Sequence, residues 1–101
     1  MDRKMMAQLQ RMQNQMVKAQ EELGVATVEG TAGGGAVRVT MNGHRELRDI
    51  QISPEAVDPE DVETLQEMIT AAFNDASKKA QDLAESKLGG LTGGMSIPGL
   101  F

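Results

Sequence analysis

Between Met5 and Leu23 the apolar residues fall at Met5, Leu9, Met12, Met16, Ala19 and Leu23, at intervals of 4, 3, 4, 3 and 4. This is the a/d seam of a heptad, and it suits an α-helix whose apolar stripe packs on another element. The residues between are mostly Gln, Lys, Arg, Met and Ala, all good helix formers. Gly24 supplies a stop, so the spacing predicts a helix over residues 3–23. Five of the eight methionines lie in or just before it: Met1, Met5, Met6, Met12 and Met16. A flexible thioether at such positions suits a core or a dimer seam, with an adaptable peptide groove as the other reading.

After this helix the hydrophobic period changes. Val37, Val39 and Met41 alternate with Arg38, Thr40 and Asn42, the pattern of a half-buried strand. Asn42-Gly43 then predicts a two-residue type I′ hairpin turn, and Ile50 and Ile52 the returning strand. Val25–Glu29 reads as a first strand, joined to the second through Gly30–Gly35. Asp58-Pro59-Glu60-Asp61 predicts a helix start, with Asp58 as N-cap, Pro59 at the first helical position and acids facing the helix dipole. Val62, Leu65, Ile69, Ala72, Phe73, Ala76 and Leu83 keep helical spacing, and Gly89-Gly90 ends the run. The expected fold is α+β in the order α-β-β-β-α, a three-stranded antiparallel meander flanked by two long helices. The expected domain is residues 1–89, with 90–101 as a glycine-rich mobile tail whose Leu100-Phe101 could dock on an apolar groove.

A helix of residues 59–88 is about 45 Å long at ~1.5 Å per residue, whereas a compact domain of this size has a radius of gyration of only ~13 Å. Its apolar seam overhangs any small sheet. A second copy of the chain is the simplest cover, so an intertwined homodimer is expected, with Met5, Leu9, Met12, Met16, Leu23, Leu65, Ile69 and Phe73 as the core and dimer seam.

Composition excludes most chemistry. The chain has 101 residues, no cysteine, one histidine (His44) and two aromatics (Phe73 and Phe101). Thiolate nucleophiles and zinc sites of the usual kind lack their ligands, and base-stacking platforms lack their rings. His44 has no triad partner at a telling spacing and reads as a turn residue. Gly33-Gly34-Gly35 leads into a strand rather than a helix, so it is a strand connection and not a phosphate loop. No apolar run approaches the ~20 residues of a membrane span, and no secretory leader is evident. A small cytoplasmic protein without catalysis, cofactor, metal, membrane or small-molecule substrate is expected.

The net charge of −5 hides a segregation. Residues 1–20 carry four bases, Arg3, Lys4, Arg11 and Lys18, against Asp2 alone, while residues 53–85 carry nine acids against Lys78 and Lys79. Lys4, Arg11 and Lys18 recur at intervals of seven and therefore share one helix face, bordered by Gln8, Gln10, Gln13, Asn14 and Gln15. Solvated helices usually mix Glu with Lys in i,i+4 pairs. This stripe fits either phosphate contact without sequence reading or a solvated face with a biased composition.

Along nearly its whole length the chain resembles the YbaB/EbfC family of bacterial nucleoid-associated proteins. The resemblance is carried by residues 12–23 (MQNQMVKAQEEL), 28–37 (VEGTAGGGAV), 39–44 (VTMNGH), 52–61 (ISPEAVDPED), 71–76 (AAFNDA) and 91–101 (LTGGMSIPGLF). It implies a tweezers-shaped homodimer with a central body and helical arms. It further implies binding of double-stranded DNA with little sequence preference, a role in nucleoid organisation and gene expression, and neither cofactor nor catalysis. Basic side chains on the arms make the DNA contacts in that family. Here Lys4, Arg11 and Lys18 would meet that role, with Arg3, Lys78, Lys79 and Lys87 in the second rank. The competing expectation is a dimeric protein-interaction adaptor that uses the Met-rich seam or the C-terminal tail.

Overall fold

The computed structural model describes residues 2–91, ordered α-β-β-β-α as the hydrophobic periods predict. Helix α1 (Arg3–Val25) is followed by β1 (Thr27–Ala32), β2 (Val37–Asn42), β3 (Leu47–Ile52) and helix α2 (Val62–Leu91). Short 3-10 turns at Gly33–Gly35 and Pro54–Ala56 complete the path. The strands form an antiparallel sheet in the order β1-β2-β3, with Gly30 opposite Val39 and Val39 opposite Ile50.

The alternation in β2 determines the core. Val37, Val39 and Met41 are buried and point at α2, while Arg38 points to solvent. Helix α2 meets them with Ala72, Ala76 and Ala80, one small residue per turn, so that its backbone lies close to the sheet. Gly30 is the sheet's half of this fit. A Cβ there would lie 2.2 Å from the Ala72 carbonyl oxygen and 2.3 Å from the Ala76 nitrogen, so no other residue can occupy the site without moving the helix. Leu65, Met68 and Ile69 pack around this cluster.

A second cluster joins the two helices. Ala19 and Leu23 of α1 bury against Leu88 of α2, with Met16, Leu83, Ala84 and Leu91 around them. The helices run antiparallel: Leu23 shares a cleft with Ala84, while Gln15 and Lys18 share one with Leu91. Lys87 Nζ and Glu22 Oε2, 2.7 Å apart, tie them at this point. Residues 3–15 of α1 continue past Leu91 with no buried residue, and the molecule is 69 Å long but only 22 by 17 Å across.

Five features differ from the local expectation. Asn42-Gly43 does not form a type I′ turn: the positive φ lies at Arg45, 61°, within a longer connection. Gly43 is needed instead for close approach to α1, where a Cβ would meet Leu23 Cδ2 at 2.6 Å. Helix α1 runs through Gly24 to Val25, and β1 begins at Thr27 and includes Gly30, Thr31 and Ala32. The N-cap of α2 is Asp61 rather than Asp58. Asp61 accepts from the Thr64 N–H at 3.3 Å and from its hydroxyl at 2.7 Å, while Asp58 closes the preceding turn by accepting from the Glu60 N–H. Helix α2 also continues through Gly89 and Gly90 to Leu91, which packs in the second cluster. The remainder of the expected tail, residues 92–101 with Leu100-Phe101, lies outside the described residues.

Candidate nucleic-acid interface

Two members of the expected basic stripe, Lys4 and Arg11, sit on the part of α1 that projects from the body, and Lys18 lies at its root beside Leu91 and Lys87. Asp2 opens the helix, its Oδ1 accepting from the Met5 N–H at 2.8 Å. At ~100° per residue, Lys4, Arg11 and Lys18 fall within about 40° of one another and about 120° from the apolar seam. Successive members are about 10 Å apart along the axis at ~1.5 Å per residue. All three are exposed, as is Arg3 on the neighbouring face.

The partners of the ten cations separate them into two groups. In the body, Arg38 lies 3.6 Å from Glu29 and donates to the Gly35 carbonyl. Arg45 donates to Gln81, and Arg48 donates to the Gly24 carbonyl beside Glu46. Lys78 pairs with Asp82 at 3.5 Å, and Lys79 with Asp75 at 3.2 Å while also donating to the Glu29 carbonyl. Lys87 is held by Glu22. Arg3, Lys4, Arg11 and Lys18 have neither an ion pair nor a side-chain hydrogen bond among the described residues. A paired cation must give up its carboxylate before it meets a phosphate. Arg3, Lys4 and Arg11 have none to give up, and Lys18 feels only the longer-range attraction of Glu22.

The second-rank lysines therefore do structural work. Lys87 fastens α1 to α2; its hydrogen bond and charge, aided by Lys18, hold the Glu22 carboxyl below the usual carboxylate range. Lys79 and Asp75 secure α2 to β1, and the Thr31 N–H with Lys79 holds the Asp75 carboxyl low in the same way. Lys78 only pairs within its own helix.

The root of α1 shows a function for the β2–β3 connection that local sequence rules do not signal. The Gly43 N–H donates to the Leu23 carbonyl at 2.8 Å, and Asn42 Nδ2 to the Gly24 carbonyl at 3.1 Å. His44 Nε2 donates to the Gln20 carbonyl at 2.9 Å. The first two satisfy orphan carbonyls at the end of α1, and all three fasten the helix to the sheet. Buried Asn42 is fully used, since its Oδ1 accepts from the N–H groups of His44 and Glu46. The cleft of about 220 Å³ beside His44 is lined by Gln20, Leu23, Gln81 and Leu88 among others, with no second acid or base positioned for catalysis. Among the described residues no cluster of His, Cys, Asp and Glu could hold a metal, and no helix is long and apolar enough to cross a membrane.

The acids lie elsewhere. Glu55, Asp58, Glu60, Asp61, Glu63 and Glu67 gather at or before the start of α2. About 36 Å of helix separates Glu63 from Lys87 at ~1.5 Å per residue, several Debye lengths at physiological salt. These six acids are thus screened from the stripe, whereas Asp2, Glu21 and Glu22 lie on or at the cap of α1.

The seam residues divide along the same line. Met16 and Leu23 pack in the second cluster and Leu65 and Ile69 around the first, whereas Met5, Leu9, Met12 and Phe73 are 43–55% exposed in the single chain.

The sequence model of the YbaB/EbfC DNA-binding family matches residues 1–95. The chain is 61% identical to a nucleoid-associated protein of Pelotomaculum thermopropionicum, over 97% of this chain and 93% of that protein. It is 64% identical to a nucleoid-associated protein of Roseiflexus castenholzii, over 87% of each. The crystal structure of an uncharacterized protein from Helicobacter pylori matches with a TM-score of 0.77 at 27% identity, covering 91% of this chain and 98% of that one. The matching family is one of DNA-binding proteins and not of enzymes.

Proposed function

This chain belongs to the YbaB/EbfC DNA-binding family, and we propose that it binds double-stranded DNA as a homodimer, with little sequence preference, and acts in nucleoid organisation and gene expression within the cytoplasm. The observation that carries this reading is the segregation of the cations: those without partners all lie on α1, and three of them form one stripe. Lys4, Arg11 and Lys18 make the phosphate contacts, with Arg3 at the tip. Lys78, Lys79 and Lys87 stay in their pairs. Phosphate contacts position a protein without reporting sequence, so base preference is slight. The nucleoid-associated relatives support the location.

Two copies of the stripe neutralise roughly four to six phosphates, at ~0.9 per contact in the slope of log affinity against log salt. The test is an affinity measurement on random-sequence duplex with the double variant Arg11→Glu and Lys18→Glu. Both side chains are exposed, so the fold should survive while binding falls below detection. Parental affinity in that variant would show that the stripe is not the site, and would turn attention to Arg38, Arg45 and Arg48. The adaptor reading draws on the exposed Met5, Leu9 and Met12. It predicts that reversing the two charges leaves partner binding intact and that no duplex is bound.

A further inference from the structure

We infer that the apolar seam on the projecting part of α1 is the docking surface for the chain's own residues 92–101, which cover it and firm the helix that carries Lys4 and Arg11. This goes beyond the DNA reading and does not rest on it.

The seam is one stripe with two halves. At ~100° per residue Met5, Leu9, Met12, Met16 and Ala19 all fall within about 40° of Leu23, so a single helix face runs from the root of α1 to its tip. The root half is covered: Ala19 and Leu23 bury against Leu88, and Met16 and Leu91 join the same cluster. The outer half is not, and Met5, Leu9 and Met12 are 53%, 48% and 55% exposed. The spacing is the same in both halves; what changes is that α2 ends at Leu91. Three large apolar side chains in one continued stripe, beside amides and cations, call for an apolar cover.

The chain supplies one at the right place. Helix α2 runs antiparallel to α1, so at Leu91, which shares a cleft with Gln15 and Lys18, it is directed toward the tip. Residues 92–101 therefore begin where the covered half of the seam stops. From Met16 to Met5 the seam is about 16 Å long at ~1.5 Å per residue. Ten residues span up to about 33 Å, enough to reach the tip with length to spare. Their sequence, TGGMSIPGLF, holds Met95, Ile97, Leu100 and Phe101 and no charged side chain. An uncharged segment on the seam leaves the stripe open, since Lys4 and Arg11 lie about 100° or more round the helix from its members.

Attachment to Leu91 also favours this occupant over others. A short tether gives an effective concentration of about millimolar order, which a foreign helix or the seam of a second copy must match from solution. The other apolar opening nearby is the cleft at Leu23, Ala84 and Leu88. Its polar groups are committed, His44 to the Gln20 carbonyl and Arg45 to Gln81, and reaching it means turning back along α2. Docking on the outer seam is a local contact that opens while the body stays folded. Amide exchange therefore reads it and bulk unfolding does not.

The test compares the full chain with a truncation after Leu91 by amide hydrogen exchange, and needs no DNA. Without residues 92–101, exchange across residues 5–14 should quicken by about tenfold while β2 keeps its protection. Leu100→Asp with Phe101→Asp in the full chain should quicken the same amides. Unchanged exchange there overturns the proposal. Because the chain has no cysteine, a disulfide reports the contact directly. Leu9→Cys with Ile97→Cys should oxidise within one chain, and faster than Asn14→Cys with Ile97→Cys. Asn14 is nearer to Leu91 but on the opposite helix face, so a segment that does not dock gives equal rates or the reverse order, and either overturns the proposal. A disulfide between two chains assigns the seam to a second copy's segment and overturns it as well. If the truncated chain unfolds, the disulfide rates decide.

Discussion

In the body every cation is engaged, with Arg38 on Glu29, Lys79 on Asp75 and the Glu29 carbonyl, and Lys87 on Glu22. On the projecting part of α1 no cation has a partner among the described residues, and no residue from 2 to 15 is buried. The two regions share one chain and similar helix-forming residues but not one source of order. The body is held by packing: Val37, Val39 and Met41 against Ala72, Ala76 and Ala80. Among the described residues the outer helix has only its propensities, its Asp2 cap and its root in the body. Because nothing in the body uses its charges, they remain available for a partner outside the chain. Rigid packing and available charge are separated in space, and the β2–β3 connection joins them.

The sharpest way to break the contrast is to remove the body. Gly30→Val drives two methyl groups into the backbone of α2 at Ala72 and Ala76, where even one Cβ does not fit. Overpacking against backbone lies at or beyond the upper end of the usual range, ~3 kcal/mol. Cooperative thermal unfolding should disappear, and a parental melting curve would show that α2 lies further from β1 than described.

The same change made twice on one seam sharpens the contrast. Leu23 is 1% exposed at the root of α1, whereas Leu9 is 48% exposed on the projecting part. Leu23→Ala should cost ~2–5 kcal/mol in denaturant unfolding. Leu9→Ala should stay within about 0.5 kcal/mol. Equal costs would mean that the outer seam is packed as firmly as the root.

The smallest effect is electrostatic. Glu22 and Asp75 titrate below their ordinary values of 4.5 and 3.8, chiefly through the Lys87 hydrogen bond and the Thr31 N–H respectively. A lowered carboxylate stabilises the fold above its unfolded value, and that contribution is lost as pH falls through the folded value. Parent stability should therefore decline as pH drops below about 4.5. Lys87→Met should flatten the upper part of that decline while leaving the Asp75 part. An unchanged acid profile would show that the pair between the helices contributes nothing.

Much of this was readable from local pattern. The 4-3-4 seam located α1, the alternation in β2 located the sheet and its buried face, and the sevenfold recurrence located the stripe. The helical pairs Lys78–Asp82 and Lys79–Asp75 are also visible as i,i+4 spacings. What was not readable depends on distant partners. Gly30 looks like a loop glycine until α2 is placed on β1. Asn42-Gly43 has the composition of a hairpin turn, but its groups are committed to the carbonyls of α1, some 18 residues away for the Asn42–Gly24 bond. The start of α2 was placed one turn early: Asp58-Pro59 has the composition of a helix start, but Asp58 closes a turn and Asp61 caps the helix. That Lys87 is held while Lys18 is not follows only from the packing of one helix on the other.

The most direct test of the central claim, that the partnerless cations of α1 are the DNA contacts, is the salt dependence of affinity for random-sequence duplex. For the parent, log affinity against log salt should have a slope of about −3.6 to −5.4, so that raising salt from ~50 to ~200 mM weakens binding by about two to three orders of magnitude. Removing one stripe cation per chain, as in Arg11→Gln, should make the slope shallower by about 1.8 if both copies lie on one duplex, at ~0.9 per phosphate contact. A slope near zero in the parent, or an Arg11→Gln slope equal to the parent's, would contradict it.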